Sequence, residues 1–261
     1  MEEFVAALKA HPNADYPLGQ GLTRLNLLQA LFMFSMNDYV DWEAGTVSFD
    51  SNDFITLLEF AKTLPEEYDW DNDYIPTHEL IMAGRQIIYV TNFSFLDEYH
   101  MSRALFGGEI VFKGLPAENR NGFSLSTGTA FAITSKCKDT EGAWAFLRTF
   151  LKEDWQSENH WYGIPINKHV LDKMFHDAMT EERGGAGSID NFLVEHEKMT
   201  QADADHIMSL INSVSGTVGQ DDTLWTIISE SAESFFNGQI TVHDAVRVIQ
   251  NRASIYIAEQ S

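Results

Sequence analysis

The sequence predicts a mixed α/β fold in which helices outnumber strands. Two observations lead to this prediction. Apolar residues recur at helical spacing over most of the chain, and short apolar runs typical of buried strands recur singly between these helices. The 261 residues are enough to bury a substantial core, in one large domain or two small ones.

Helical periodicity occupies three segments of the N-terminal part, at residues 2–10, 25–36 and 52–64. Asp50, Ser51 and Asn52 supply capping side chains for the third segment, because their side-chain oxygens can accept a hydrogen bond from the first turn of a helix. Between the second and third helices, the sequence YVDWEAGTVSF predicts two short extended pieces joined by a turn at residues 43–45.

Three further segments have the composition of single strands. They are predicted at residues 87–91, 109–116 and 123–134, and a short helix at residues 78–84 precedes the first of them. Each segment contains a short run rich in apolar residues between polar boundaries. Such runs are typical of strands that are buried within a sheet.

The C-terminal part is predicted to be mostly helical, apart from a glycine-rich loop at residues 184–187. The predicted helices span residues 140–152, 168–180, 188–194, 200–212, 221–236 and 241–258. The last of these helices carries four aliphatic residues on one stripe, which we expect to pack against the rest of the domain. The stripe consists of Val242, Val246, Ile249 and Ile255.

The composition excludes several classes of partner. Lys and Arg total 17 against 39 Asp and Glu, which gives a net charge of −22 and no basic cluster that could neutralise a row of phosphates. We therefore expect no nucleic-acid partner, and anionic lipid headgroups would repel the acidic surface. Cys137 is the only cysteine, so neither an intrachain disulfide nor a cysteine-rich zinc site can form within the chain.

One acidic segment resembles the start of a calcium-binding loop. Asp69, Asp71 and Asp73 alternate as the first ligands of an EF-hand do, but Tyr74 and Leu80 stand where that loop needs glycine and glutamate. The pattern favours a solvated acidic turn over a weak calcium site. We predict no metal-binding residues.

The sequence gives no positive support for catalysis. The nine histidines lack the spacing of a helical zinc site, and neither a phosphate-binding glycine loop nor a nucleophile elbow is present. We therefore predict no catalytic residue and no cofactor.

Trp225 is the residue whose setting best suits a ligand. It lies at the start of a predicted helix, directly after the polar, glycine-containing stretch SGTVGQDD. The apolar face of a sugar ring stacks on an indole, and neighbouring polar side chains bind the hydroxyl groups. Packing in the core remains the alternative for this side chain.

Five segments, in order along the chain, are similar to motifs of one protein family. They are MEEFVAAL at 1–8, AGRQIIYVTNFSF at 83–95, TGTAFAITSKCKDTEGAWAFLRTFL at 127–151, WYGIPINKHVLD at 161–172 and FFNGQITVHDAVRVIQNR at 235–252. Their family counterparts are a W-x-E-F helix, a strand ending at a cleft-lining loop, a strand–turn–helix unit, a G-x-P-x-x-K crossing and a G-x-x-(S/T)-x-x-E-A ending. The chain thus resembles the carbohydrate-binding extracellular solute-binding proteins of ABC transporters, the group of maltose-binding protein.

This resemblance implies a periplasmic-binding-protein-like (type II) lobe that is rich in helices and accompanied by an incomplete first lobe. Residues 1–107 and 154–261 would form the second lobe, and residues 108–153 would belong to the first lobe and the hinge crossing. Family members are considerably longer, so we expect a piece of a longer protein. Such a piece should expose apolar surface where its missing strands would pack, and self-association through that surface is expected.

The resemblance also implies a function. The chain would be the non-catalytic binding component of an ABC importer, with a sugar or oligosaccharide captured in an interlobe cleft and ABC transporter membrane subunits as partners. Its location would be extracytoplasmic, either periplasmic or lipid-anchored to the outer face of the membrane, with an export signal before residue 1. Two alternatives remain, a glycan-acting enzyme and a helical protein-interaction domain.

The resemblance implies a set of sugar-contacting residues around Trp225, the expected main platform. Asn92, Phe93 and Phe95 would face it from the loop after a strand, and Trp161 and Tyr162 would lie near the hinge and cleft. The alternative for these last two rings is that they only cover the helix at 168–180. Weaker candidates are Thr23 and Arg24.

Overall fold

The computed structural model describes residues 1–69, 74–116, 123–159, 163–181, 186–214 and 216–260. Contacts between residues divide the chain into two compact units. Unit 1 comprises Met1–Val90, Val111–Leu125 and Ser213–Ser261, and unit 2 comprises Thr91–Ile110 and Ser126–Asn212. The assignment of residues 108–153 to a first lobe stays a prediction.

Unit 1 is built mainly from helices. Its helices are α1 (Glu2–Lys9), α2 (Arg24–Tyr39), α3 (Asn52–Lys62), α4 (Thr77–Met82), α10 (Asp222–Phe236) and α11 (Val242–Gln260). Its strands are β1 (Val40–Asp41), β2 (Thr46–Val47), β3 (Ser124–Leu125) and β6 (Gly216–Thr217). β1 and β2 are antiparallel, whereas β3 and β6 are parallel.

Unit 2 also consists mainly of helices, with one hairpin. Its helices are α5 (Asp97–Leu105), α6 (Thr140–Leu147), α7 (Glu153–Glu158), α8 (Lys168–Thr180) and α9 (Gln201–Asn212), and a short 3-10 helix spans Arg148–Leu151. Its strands are β4 (Ala186–Ile189) and β5 (Phe192–Glu195), which pair antiparallel.

The core of unit 1 lies between α2, α3, α10 and α11. An aromatic cluster occupies its centre, where the ring of Phe49 lies 6.1 Å from Phe32, 5.7 Å from Tyr39 and 5.0 Å from Phe54 between centroids. These distances are typical of favourable aromatic pairs, and the rings of Phe32, Phe49 and Phe54 are fully buried. Burial of this apolar surface is the main force that holds the helices together.

The hairpin predicted between the second and third helices is confirmed. Val40 pairs with Val47, and the turn contains Gly45 at a φ of 66°. Gln250 of α11 binds this hairpin at two points, because its amide nitrogen donates to the Val47 carbonyl and its amide oxygen accepts from the Phe49 N–H. The hairpin is therefore fixed to the last helix of the chain.

The stripe on α11 packs into the core as predicted, with one exception. Val246 and Ile249 are buried and Val242 is partly buried against the core, but Ile255 is 63% exposed. At 100° per residue, position 255 lies on the opposite side of the helix from position 246. Ala253 and Ile257, both buried, continue the stripe in its place.

Two of the three single strands predicted from the sequence do not form, and the third is very short. Residues 87–91 and 109–116 are not strands, and within 123–134 only Ser124–Leu125 pairs, with Gly216–Thr217. A strand is stable only when its backbone groups bond to a neighbouring strand. The backbone N–H groups of Ile87 and Ile88 instead share the carbonyl of Pro17, which is part of a loop.

The helix predicted at 188–194 is wrong, because these residues belong to the β4–β5 hairpin. Ser188 pairs with Leu193 and Ile189 with Phe192. The two turn residues, Asp190 and Asn191, have φ angles of 52° and 65°. Asp and Asn tolerate this left-handed conformation better than most residues, and a two-residue turn of this kind suits the twist of a hairpin. The glycine-rich loop predicted at residues 184–187 overlaps the start of β4 at positions 186 and 187.

Helix α6 presents its apolar side chains to the surface. Asp139 caps the helix by accepting the Gly142 N–H, yet no residue of α6 is buried. Trp144 is 52% exposed and Phe146 is 63% exposed. We call the exposed apolar residues of this region the α6 aromatic face, in which the rings of Phe131, Phe146 and Trp155 each lie beside the ring of Phe150. Its residues are Phe131, Ile133, Trp144, Phe146, Leu151 and Trp155.

Within the described residues, no helix combines the length and apolarity needed to cross a membrane.

Candidate functional site

Trp225 occupies the first turn of α10, as predicted. The helix begins after Asp221, whose side chain accepts the Leu224 N–H at 2.8 Å. The indole is partly buried and packs against the core of unit 1. Trp225 therefore has a packing role along one part of its surface, and its role as a sugar platform stays a prediction.

Gln220, Asp221 and Asp222, the polar residues that end the SGTVGQDD stretch before Trp225, differ in how free their side chains are to bind a ligand. Asp221 is committed to structural bonds, because its second carboxylate oxygen accepts the Tyr256 hydroxyl at 3.0 Å. This bond also raises the pKa of Tyr256, since an adjacent carboxylate disfavours the phenolate. Gln220 and Asp222 are exposed. They are the polar neighbours of Trp225 that can meet a ligand without losing a structural bond.

Thr23 and Arg24 anchor the start of α2. The Thr23 hydroxyl caps the helix by accepting the Asn26 N–H. The Nε of Arg24 donates to the Leu64 carbonyl at 2.9 Å, and its guanidinium lies 3.8 Å from a carboxylate oxygen of Glu66. These contacts tie α2 to the end of α3. A structural role accounts for both residues, and a ligand role for either stays a prediction.

The loop with Asn92, Phe93 and Phe95 lies in unit 2, directly before α5. Glu98 holds this loop, because one of its oxygens accepts the N–H groups of Ser94 and Phe95. Burial raises the pKa of Glu98, although these two backbone donors act against the rise. Asn92 and Phe95 are exposed and Phe93 is partly buried. The expected placement of these residues opposite Trp225 stays a prediction.

Trp161 and Tyr162 lie outside the described residues, as do Asp71 and Asp73 of the acidic segment. The chain after Tyr162 is described, and Gly163 has a φ of 137° that favours glycine. Gln156 connects this segment to α7. Its amide nitrogen donates to the Phe150 carbonyl, and its amide oxygen accepts the Asn167 N–H at 2.9 Å. The start of α8 is thereby fixed beside α7.

A polar network that was not predicted from the sequence joins α5 to α9. Arg103 contacts Asp203 at 3.0 Å, the Thr200 hydroxyl donates to the same carboxylate, and the Tyr99 hydroxyl lies 2.9 Å from Nδ1 of His206. Burial acts to raise the pKa of Asp203, but the Thr200 hydrogen bonds and the nearby cationic groups outweigh it and lower this pKa. The spacing of these residues gave no signal, because the network joins residues about 100 positions apart.

Among the residues that the structure describes, no group of three or more His, Cys, Asp or Glu side chains is arranged to hold a metal ion. Cys137 is a free thiol that is partly exposed.

Comparison with solved structures shows a similar fold in a protein from Synechococcus sp. MITs9220. That protein is proposed to be an oligosaccharide periplasmic-binding protein and was crystallised in complex with zinc. The match covers 99% of this chain, with a TM-score of 0.57 and 13% sequence identity. The fold is periplasmic-binding-protein-like. This confirms the predicted fold class, a helix-rich α/β lobe with few strands.

The similarity concerns the fold, and the chain spans 65% of the length of the Synechococcus protein. No protein-family model matches the chain, and no curated protein matches it. The resemblance to solute-binding proteins is thereby supported at the level of the fold. The narrower assignment to the group of maltose-binding protein stays a prediction.

Proposed function

We propose that this periplasmic-binding-protein-like chain binds a sugar or oligosaccharide, without altering it chemically, as the substrate-binding component of an ABC importer. One observation carries the proposal. Nearly the whole chain shares its fold with a protein that is itself proposed to bind oligosaccharides. The role proposed for that protein is binding, which supports a non-catalytic role here.

In this proposal the sugar ring stacks on Trp225, and the exposed side chains of Gln220 and Asp222 bind its hydroxyl groups. The half-buried state of the indole supports the proposal, since one part of the ring is fixed by the core while the rest stays accessible. Exposed Asn92 and Phe95 are the further contacts that we propose, with the sugar held in a cleft between two lobes. Closure around the sugar is a hinge motion of these lobes.

The proposed partners and location follow from the same role. A substrate-binding component delivers its sugar to the transporter by docking on the outer face of the membrane subunits. The protein is therefore placed outside the cytoplasm, in the periplasm or tethered by a lipid anchor. Its net charge of −22 suits contact with a protein partner better than contact with an anionic lipid surface.

A sugar panel tests the proposed function in the full-length protein. We expect one class of mono- or oligosaccharide to raise the melting temperature, because a ligand at a hundred times its dissociation constant stabilises the folded state by about 2.7 kcal/mol. Chromatography of the sugars afterwards should show them intact. Shortened sugars would instead support a glycan-acting enzyme, and a panel with no effect on the melting temperature would contradict sugar binding.

We also propose that the chain self-associates through the α6 aromatic face. Exposed aromatic clusters of this kind mark interaction surfaces. The overall negative charge opposes association between copies, but residues 131–155 carry four basic and four acidic residues, so the repulsion at this face is small. The α6 aromatic face of one chain can therefore pack against the same face of a second chain.

Sedimentation equilibrium tests this association over a range of protein concentrations. The wild-type chain should form a reversible oligomer, and the double variant Trp144→Ser, Phe146→Ser should remain monomeric because it loses two of the three most exposed rings of the face. Leu193→Ser is the control, since Leu193 is an apolar residue of unit 2 outside the face and is 72% exposed. A wild-type chain that stays monomeric at every concentration would rule out the proposal.

A further inference from the structure

Unit 1 contains a cavity of about 340 Å³. Three parts of the chain form most of its wall, namely the loop at 18–22, the first half of α2 and the segment at 86–90. Aliphatic and aromatic side chains dominate this wall. Among the described residues, none that lines the cavity is charged at neutral pH, although 21% of the chain is charged.

Gln86 is the polar residue of this wall with the most unusual environment. The residue is 4% exposed, and its amide nitrogen donates to the Ile88 carbonyl at 2.9 Å. This bond fixes which end of the amide is the oxygen. The oxygen, Oε1, is buried and has no hydrogen-bond partner among the described residues. A buried acceptor without a donor is disfavoured, so Gln86 gains from a ligand that brings one.

The loop beside Gln86 is shaped to approach its amide closely. Gly19 has a φ of 101°, and a Cβ at this position would lie 3.1 Å from the amide nitrogen of Gln86 and 3.6 Å from Oε1. The next residue, Gln20, accepts the Ile75 N–H at 2.8 Å. This bond connects the loop to the segment before α4, which also lines the cavity. The wall is therefore held in place around Gln86 by backbone contacts.

We propose that this cavity is a binding site for a small, uncharged, mainly apolar ring compound that carries one hydrogen-bond donor. Its volume is at the lower end of the range for ligand sites, which suits one or two fused rings. A charged molecule would lose its hydration without gaining an ion pair. An oligosaccharide would leave most of its hydroxyl groups unpaired against an apolar wall, so this site is distinct from the proposed sugar site.

In the bound state, the donor of the ligand bonds to Oε1 of Gln86 while its rings contact Leu27 and Tyr89 on the wall. Oε1 is covered by neighbouring wall atoms, so the donor reaches it when the Gln86 amide shifts towards the cavity. The close packing of Gly19 and the bond to Ile88 oppose this shift. Occupation of the cavity satisfies the acceptor that the described part of the chain leaves unpaired.

A matched pair of probes tests this site by calorimetry. Indole carries one N–H donor, and benzofuran has the same shape without it. We expect the wild-type chain to bind indole about tenfold more tightly than benzofuran, as one added hydrogen bond allows. The variant Gln86→Leu should bind both probes with similar affinity, and Ala30→Phe, which fills the cavity, should bind neither.

Spectra of the wild-type chain keep the test valid even if a variant fails to fold. Indole should give intermolecular NMR cross-peaks to Leu27 and Tyr89 and should shift the side-chain amide signals of Gln86. Maltose should not displace it. The proposal is overturned if neither probe binds at millimolar concentration, if benzofuran binds as tightly as indole, if bound indole gives no cross-peak to these residues or if maltose competes with it.

Discussion

Replacing Ile249 with alanine should lower the free energy of unfolding by about 2–5 kcal/mol. The side chain of Ile249 is 0% exposed, and it belongs to the core cluster that α11 shares with α2, α3 and α10. Truncation removes buried apolar surface and leaves a cavity, and both effects destabilise the folded state. Urea denaturation measures the loss, and hydrogen exchange of the α11 amides should show that this helix opens more readily.

Ile255→Ala is the matched control for this experiment. It makes the same chemical change on the same helix, but at a position that is 63% exposed, so the free energy of unfolding should change by less than about 0.5 kcal/mol. Equal losses for the two variants would contradict the packing of α11. The more conservative Ile249→Val should cost about 0.5–1.5 kcal/mol, between the two alanine variants.

The same pair of residues shows how far helical periodicity can predict a fold. The bounds of α8 agree with the prediction of a helix at residues 168–180, because apolar residues at helical spacing over a long segment identify a helix from the local sequence alone. The side that α11 buries was also predicted through Val246 and Ile249. Ile255 was assigned to this side because it is aliphatic, although its angular position on the helix already placed it elsewhere.

Strands were harder to predict, because a strand depends on a partner that its own sequence does not specify. The residues at 109–116 have the composition of a strand, yet the structure pairs them with no neighbouring strand. The β4–β5 hairpin was missed for another reason. Its apolar residues also fit a short helix, whereas the Asp190–Asn191 pair is a turn signal whose left-handed conformation favours a hairpin.

In the candidate site, too, features set by the local sequence were predictable and contacts between distant residues were not. The position of Trp225 at the start of a helix was predictable, because capping and periodicity are local. The bonds that commit Arg24 to Leu64 and Asp221 to Tyr256 were not, because each connects residues more than 30 positions apart. The unpaired oxygen of Gln86 could be found only from the structure, since it depends on what surrounds a buried amide.

Trp225→Ala should weaken sugar binding by about 2 kcal/mol or more in the full-length protein, which is about thirtyfold in the dissociation constant. The loss is large because an aromatic platform contributes apolar contact over a whole sugar ring, and no other tryptophan lies on α10. Calorimetry with the sugar identified by the panel measures the change. Trp225→Phe should lose less, because a phenyl ring still stacks on the sugar.

Two measurements separate this binding role from packing. Since the indole is partly buried against the core of unit 1, Trp225→Ala should also lower stability, though by less than the loss of a fully buried ring. Trp42→Ala is the control, because Trp42 is another tryptophan of unit 1, 42% exposed in the turn between β1 and β2. It should leave sugar affinity unchanged. If Trp225→Ala lowers the melting temperature without sugar but keeps the wild-type affinity, Trp225 is a core residue and the sugar stacks elsewhere.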